Sequence, residues 1–367
     1  MNQAAPDLVI SADGHVTEPS DLWVRELPAS MRGRGPRVEG REGRLCFVVE
    51  DEIVRKLPVP VDSAAGRVAE GPIDFGWGTS DPQKRLEVLE SDGVWAEVLY
   101  PNVAFFCVFH MRDPELQVAS CEVYNAWLSD TYRSHDRYAP VGLLPTRDLE
   151  ATVRMLRDFP ARGLRAALVP CHDDARPYND PVWEPLWEAA AGVGVPLSFH
   201  VGTGRSQTPA HGPGAAVVNY VVTVSAPMET VSYLCASGVL ERHPELRVVM
   251  IECGAGWLAW TLDAMDEAYE EHAAFVKPKL REKPSDSFRR QGAVTFQRDP
   301  VGLANAARTG ARCLMWASDY PHPEGTYPES RAVLARQLEG IPRDVAEAAT
   351  FRNAAELYGL PLPAAGS

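Results

Sequence analysis

Three residues near the start of the chain have the types and spacing to hold a cation. Asp13, His15 and Glu18 lie in the stretch Ile10-Ser-Ala-Asp-Gly-His-Val-Thr-Glu-Pro19, directly after the apolar residues Leu8-Val-Ile. Residues two apart on an extended chain point to one face, so Asp13 and His15 offer a carboxylate and an imidazole to the same divalent ion. A pair does not fill a coordination sphere, and the other ligands must come from distant sequence. Three later apolar runs end in suitable groups: His200 after Val195-Pro-Leu-Ser-Phe, Glu252 after Leu246-Arg-Val-Val-Met-Ile, and Asp319 after Arg312-Cys-Leu-Met-Trp-Ala. Behind such a run an unpaired Glu252 carboxylate is costly to bury, so it needs a cation, a hydrogen-bond donor or an arginine. Glu18 has three readings: a metal ligand, a residue that orients a ligand, or a cap on a helix at Ser20-Asp21-Leu-Trp. Asp319 sits in good turn chemistry, Ser-Asp-Tyr-Pro, and can also accept the proton of a metal-bound water. His322, flanked by Pro321 and Pro323, is held near Asp319 and is placed to donate to a substrate or leaving group. Asp13, Glu18, Glu252 and Asp319 with His15 and His200 exceed the needs of one tetrahedral zinc. That leaves room for a second ion, and the mix of hard oxygens with two imidazoles suits zinc, iron or manganese.

Every one of these groups stands at the C-terminal end of a strand-like run, which is how a (β/α)8 barrel gathers a site on one face. Strand-like runs recur at residues 8–12, 94–100, 138–144, 163–169, 195–200, 246–251, 292–297 and 312–317, with helical patterns between most of them. Eight strands alternating with helices predict an α/β fold with a closed parallel barrel. Residues 19–80 are rich in Gly, Pro and Arg and hold one short alternating run, Leu45-Cys-Phe-Val-Val; they are expected to be an insertion folded over the barrel mouth. Asp81-Pro82 opens a helix that Gly93 ends. The segment Phe105 to Phe109, leading to His110, is a candidate wall for a substrate pocket, though such clusters are more often core. Arg205 lies in a loop where its planar fork could bind a substrate carboxylate. No linker divides the chain, so residues 1–367 are read as one domain.

The bulk properties exclude several classes. Hydrophobic content of 45% and charged content of 23% are ordinary for a globular protein. A net charge of -14 without basic clusters argues against a nucleic-acid surface or attraction to anionic lipid. No apolar run is long enough to span a membrane, and Met1-Asn-Gln-Ala-Ala-Pro lacks the regions of a signal peptide, so a cytoplasmic location is expected. The seven cysteines are scattered and mostly within apolar runs, which predicts free buried thiols.

Asp13-Gly-His15 with Glu18-Pro19, Phe199-His200, Glu252-Cys-Gly-Ala-Gly-Trp257, Ser318-Asp319-Tyr-Pro-His322 and Asn353-Ala-Ala-Glu-Leu-Tyr-Gly359 together resemble the metal-dependent hydrolases of the amidohydrolase superfamily. The likeness is to the branch of aminocarboxymuconate-semialdehyde decarboxylase and the resorcylate-type decarboxylases, and it covers nearly the whole chain except the insertion before Asp81. The resemblance implies that His15 is the second ligand of the first motif, His200 the fifth-strand ligand and Asp319 the eighth-strand carboxylate. Asp13 stands where many members have His or Glu. In place of the histidine that the decarboxylases usually carry after the sixth strand, this chain has Glu252. That departure favours hydrolysis of an ester, thioester, amide or lactone of a small organic substrate by metal-activated water, with Asp319 or Glu252 as base and His322 as donor. The alternative is non-oxidative decarboxylation of an aromatic or unsaturated acid. A ligand-binding barrel without catalysis is a third class, for which so full a set of ligands has no use. A homodimer is implied by the resemblance alone.

Overall fold

The computed structural model describes residues 6–41, 43–60, 79–204 and 210–363. The described residues form eleven strands: β1 Ile10–Val16, β2 Arg37–Arg41, β3 Arg44–Val49, β4 Glu52–Pro60, β5 Ala96–Pro101, β6 Tyr138–Leu143, β7 Ala166–Pro170, β8 Leu197–His200, β9 Val248–Ile251, β10 Gly292–Phe296 and β11 Leu314–Trp316. Eight of them form one parallel sheet in the order β1-β5-β6-β7-β8-β9-β10-β11, with helices between successive strands. The eight barrel strands fall where the sequence placed them. Their side chains are buried along nearly every strand, as expected when both faces of a parallel sheet are covered.

Closure between the first strand and the last relies on the backbone just beyond β11. Asp319 N donates to Asp13 O at 2.9 Å, His15 N donates to Tyr320 O at 2.7 Å, and Ser318 N donates to Ser11 Oγ at 2.9 Å. The seam is therefore made of the residues that carry the candidate ligands.

Helix starts repeat one device. Asp81, Asp113, Asp180 and Asp299 each precede a proline and accept backbone N–H groups of the following turn. Gly93 ends the helix Pro82–Asp92 with φ +72°, a left-handed conformation that glycine adopts without strain. Elsewhere the observed boundaries differ from the sequence pattern. The helix expected around residues 221–240 is three pieces, Ala215–Val222, Ser225–Ala236 and Val239–Arg242, the last break falling at Gly238 with φ +75°. Gly163 serves as a left-handed helix cap, so β7 starts only at Ala166. The segment with Phe105 and Phe106 is itself a helix, Ala104–His110.

Between β1 and β5 the chain forms an antiparallel sheet, β2-β3-β4. Only β3 had shown alternation in the sequence. β2 is half-buried to exposed along its length, so no apolar period marks it.

A buried ion pair ties the seam to the helix Pro82–Asp92. Arg85 Nε donates to Glu97 Oε2 at 2.8 Å, its NH1 group donates to His15 O at 2.7 Å, and its guanidinium lies 4.6 Å from the centre of the Tyr320 ring. Both side chains are fully buried. Gly14 makes this fit: a Cβ there would overlap the Glu97 carboxylate. Removing one partner of such a pair strands a charge in the interior, and Arg85→Met is expected to destabilise the protein by about 3–5 kcal/mol. Urea unfolding followed by circular dichroism measures this, and a loss below about 1 kcal/mol would show that the pair does not hold the seam.

Candidate metal centre

The strands deliver their terminal groups to one point. His15 Nε2 lies 3.5 Å from Asp13 Oδ1 and 3.2 Å from Asp319 Oδ1. His200 Nε2 lies 4.0 Å from Asp13 Oδ1 and 3.6 Å from Glu252 Oε2. His322 Nδ1 is 2.9 Å from Asp319 Oδ1. Two groups of four residues have ligand atoms all within 4.8 Å of one another: Asp13, His15, His200 and Glu252, and His15, Glu252, Asp319 and His322.

Hydrogen bonds to main-chain carbonyls settle how the two imidazoles present themselves. His15 Nδ1 is 2.8 Å from Pro101 O, and His200 Nδ1 is 2.8 Å from Val201 O. A carbonyl can only accept, so each Nδ1 carries the proton, and in a neutral ring Nε2 is then a bare lone pair. Burial, reinforced by neighbouring imidazoles, lowers both pKa values, that of His200 to about 3. The rings are therefore neutral, and their lone pairs face carboxylate oxygens at 3.2–3.6 Å. Lone pair against carboxylate is repulsive, and no donor relieves it: Asp13 Oδ1 and Oδ2, His15 Nε2, His200 Nε2 and Asp319 Oδ2 are buried without a hydrogen-bond partner among the described residues. A divalent cation held by either four-residue group would put positive charge against these lone pairs, so the donor set fits such an ion.

The carboxylates carry the marks of a crowded, dry site. Burial, then the charges of Asp319 and Glu97, pushes the Asp13 pKa well up; burial, then Asp319 and Asp13, does the same to Glu252. The Asp319 pKa is lowered against its burial by the neighbouring imidazoles of His15 and His322, the latter donating from Nδ1 at 2.9 Å. Glu252 and Asp319 both have positive φ, +57° and +56°, a conformation that costs a non-glycine residue on the order of 1–3 kcal/mol. Both lie just past a strand end, where the turn aims the side chain back over the barrel.

Of the residues singled out from sequence, Asp13, His15, His200, Glu252, Asp319 and His322 come together. Glu18 stands apart from both four-residue groups. Its carboxylate accepts from the backbone N–H groups of Asn102, Val103 and Ala104 at 2.9–3.3 Å, at the start of the helix Ala104–His110. Burial outweighs those bonds and pushes its pKa up to about 7. No arginine reaches Glu252 within salt-bridge distance among the described residues. His110 pairs with Glu52 at 2.9 Å on the surface, away from the cluster. Arg205 lies outside the described residues.

Around the cluster lie further groups, of which the sequence had announced only the phenylalanines. Phe105 is 6.4 Å from the His15 ring and 5.0 Å from the His200 ring, so this phenylalanine does line the site. Phe106 stacks on Phe105 at 4.1 Å, and the guanidinium of Arg55, from β4, lies 4.9 Å from the Phe106 ring centre. Arg55 feels the charges of Glu324 and Glu252, both of which line a cleft of about 760 Å3 that also includes Trp257 and Arg298. Asn102 has its Oδ1 3.5 Å from His322 Nε2. Arg55 left no sequence signal, since it sits in a strand without apolar alternation. Glu97, a carboxylate inside the apolar run Val94 to Tyr100, was a signal of a buried partner that went unused.

Comparison with known structures agrees with this architecture. An amidohydrolase from Mycobacterium avium subsp. paratuberculosis superposes with a TM-score of 0.78 at 21% identity, covering 96% of this chain and 99% of the other. 5-Carboxyvanillate decarboxylase from Sphingomonas paucimobilis gives 0.65 at 20% identity over 97% and 100% of the two chains. A dihydroxybenzoic acid decarboxylase from Polaromonas, solved with bound manganese and the inhibitor 2-nitroresorcinol, gives 0.64 at 16% identity over 97% and 98%. At these identities the likeness establishes the fold. No curated protein sequence matches the chain. Among the described residues no helix is long and apolar enough to cross a membrane. A sequence model described as Amidohydrolase matches residues 60–360, and on that match the chain belongs to the amidohydrolase family.

Proposed function

We propose that the protein is a metal-dependent lyase that removes carbon dioxide, without oxidation, from an aromatic or unsaturated carboxylic acid. The observation that carries this reading is the surface beside the unpaired ligand atoms: two stacked phenylalanines topped by a guanidinium, which matches a flat ring bearing a carboxylate. The decarboxylases among the similar structures support it. The preference for hydrolysis drawn from the sequence is thereby reversed. Hydrolysis of an ester, thioester, amide or lactone remains the second reading, favoured by Glu252 standing where a histidine is usual.

Asp13, His15, His200 and Asp319 would hold the divalent ion, zinc, iron or manganese, with Glu252 within reach of the same ligand set. When bound, that ion would grip the substrate carboxylate and a neighbouring oxygen. The remaining work falls to the chain's own side chains. Phe105 and Phe106 stack against the substrate ring and keep water from it. Arg55 neutralises the substrate's negative charge, and through it the insertion, residues 19–80, contributes to the wall over the barrel mouth. Glu252, in its protonated form, delivers a proton to the carbon that bears the carboxylate. The electron pair of the carbon–carbon bond stays on that carbon, carbon dioxide departs, and Glu252 regains a proton from solvent. His322 fixes the orientation of Asp319 through their 2.9 Å contact. Glu18 acts as a positioning residue, holding the backbone from which Asn102 and Phe105 project.

Carbon dioxide release from a panel of hydroxylated benzoates is expected to exceed alcohol, thiol or amine release from esters, thioesters, amides and lactones. The opposite ranking would establish hydrolysis. His200→Ala is expected to lower bound metal, read by elemental analysis, to less than about a tenth of the wild-type content, since a ligand's loss removes more than the tenfold or greater effect of its outer partners. Unchanged metal content would remove His200 from the ligand set. Arg55→Ala is expected to raise KM about 10–100-fold, the worth of a charge-assisted hydrogen bond, with kcat and metal content nearly unchanged. Lysine at position 55 should restore only part of the affinity because it lacks the planar fork. An unaltered KM would exclude Arg55 from substrate binding.

A further inference from the structure

A second polar cavity opens at the other end of the barrel. It encloses about 320 Å3 and is lined by Arg247, Arg289, Arg290 and Arg312, with Glu356 the only carboxylate among its lining residues. Arg247 immediately precedes β9, Arg289 and Arg290 precede β10, and Arg312 precedes β11, so the cavity lies on the N-terminal face of the sheet, opposite the metal centre. Four guanidiniums share it with one carboxylate in a chain whose net charge is -14.

The four arginines are not equally engaged. Arg290 spends its fork on Glu282, at 2.8 and 2.6 Å, and Arg289 bonds Ser285 Oγ at 2.6 Å and Arg308 O at 3.1 Å. Among the described residues Arg247 donates only to the main-chain oxygens of Pro244 and Leu246, and its nearest carboxylate, Glu245, is 4.0 Å away. Arg312 approaches Glu356 no closer than 3.9 Å. Yet the backbone bearing both is fixed by side-chain amides. Gln291, 3% exposed, donates to Leu246 O at 3.1 Å next to Arg247. Asn353 donates to Ala311 O at 2.7 Å and to Leu314 O at 2.8 Å, on either side of Arg312. Two guanidinium forks without a bonded carboxylate thus stand on anchored chain around a space large enough for a small molecule.

We propose that this cavity binds a small multivalent oxyanion, its phosphate or carboxylate groups taken by the forks of Arg247 and Arg312. Glu356 is the residue that opposes such a ligand. The site is separate from the metal centre and rests on none of its chemistry.

Isothermal titration of the purified protein with inorganic phosphate, and separately with citrate, at an ionic strength matched with chloride tests this. At least one anion is expected to bind saturably, and the responding anion identifies the group recognised. The double variant Arg247→Ala/Arg312→Ala, shown by its melting curve to be folded, should bind at least tenfold more weakly. Glu356→Gln should bind more tightly than the wild type, and His200→Ala should bind as the wild type does. The proposal is overturned if neither anion gives saturable heat, if the double variant keeps wild-type affinity, or if Glu356→Gln gains none. It is equally overturned if His200→Ala loses binding, because the anion would then sit at the metal centre.

Discussion

Two main-chain carbonyls decide the character of the centre. By taking the Nδ1 protons of His15 and His200, Pro101 O and Val201 O force both Nε2 lone pairs toward the carboxylates of Asp13, Asp319 and Glu252. Without those carbonyls, a flipped or protonated ring could pair with a carboxylate, and the cluster would be an ordinary buried ion-pair network. With them, the Nδ1 donors are committed to the scaffold and the two Nε2 acceptors face inward. The arrangement is tolerable in a dry interior only around positive charge, and the rest of the barrel mouth is organised by that requirement.

The cost of holding these groups is distributed over the fold. Arg85 and Glu97 brace the backbone of His15 from beneath, and Gly14 leaves them the space. Glu252 and Asp319 adopt left-handed backbone angles that neither would choose in a free loop, and the packed ends of β9 and β11 impose them. Such strain is sustained where surrounding contacts over-determine the conformation, which is the situation at the seam between Asp13 O, Asp319 N, His15 N and Tyr320 O.

Much of this was legible in the chain itself. The runs leading to His200, Glu252 and Asp319 are mostly apolar, with Ser198 inside the first and Ser318 closing the last, and a buried parallel strand is the element that produces such a run. Asp81-Pro82 and Gly93 mark a helix through local capping chemistry that tertiary structure does not override. The insertion was not legible as a sheet, because a strand exposed on both faces has no reason to alternate. Nor could position in sequence reveal that Arg55 comes to lie over Phe106, or that Glu18 turns to the amides of residues 102–104, since both depend on where distant backbone happens to pass. The choice between bond hydrolysis and carbon dioxide loss was the least legible of all. It turns on what surrounds the ligands, and a strand-end motif specifies only the ligands.

Asp13 and Asp319 lie more than 300 residues apart, yet they are joined across the closing edge of the barrel by a single peptide hydrogen bond. During synthesis Asp13 and His15 must therefore wait for their partners beyond β11 until almost the whole chain has left the ribosome. Nascent fragments ending before β11 would carry Asp13, His15 and His200 without a closed rim. Closure of the barrel is in this sense a mark of completion: these groups meet only once the last strand has been made and has found the first.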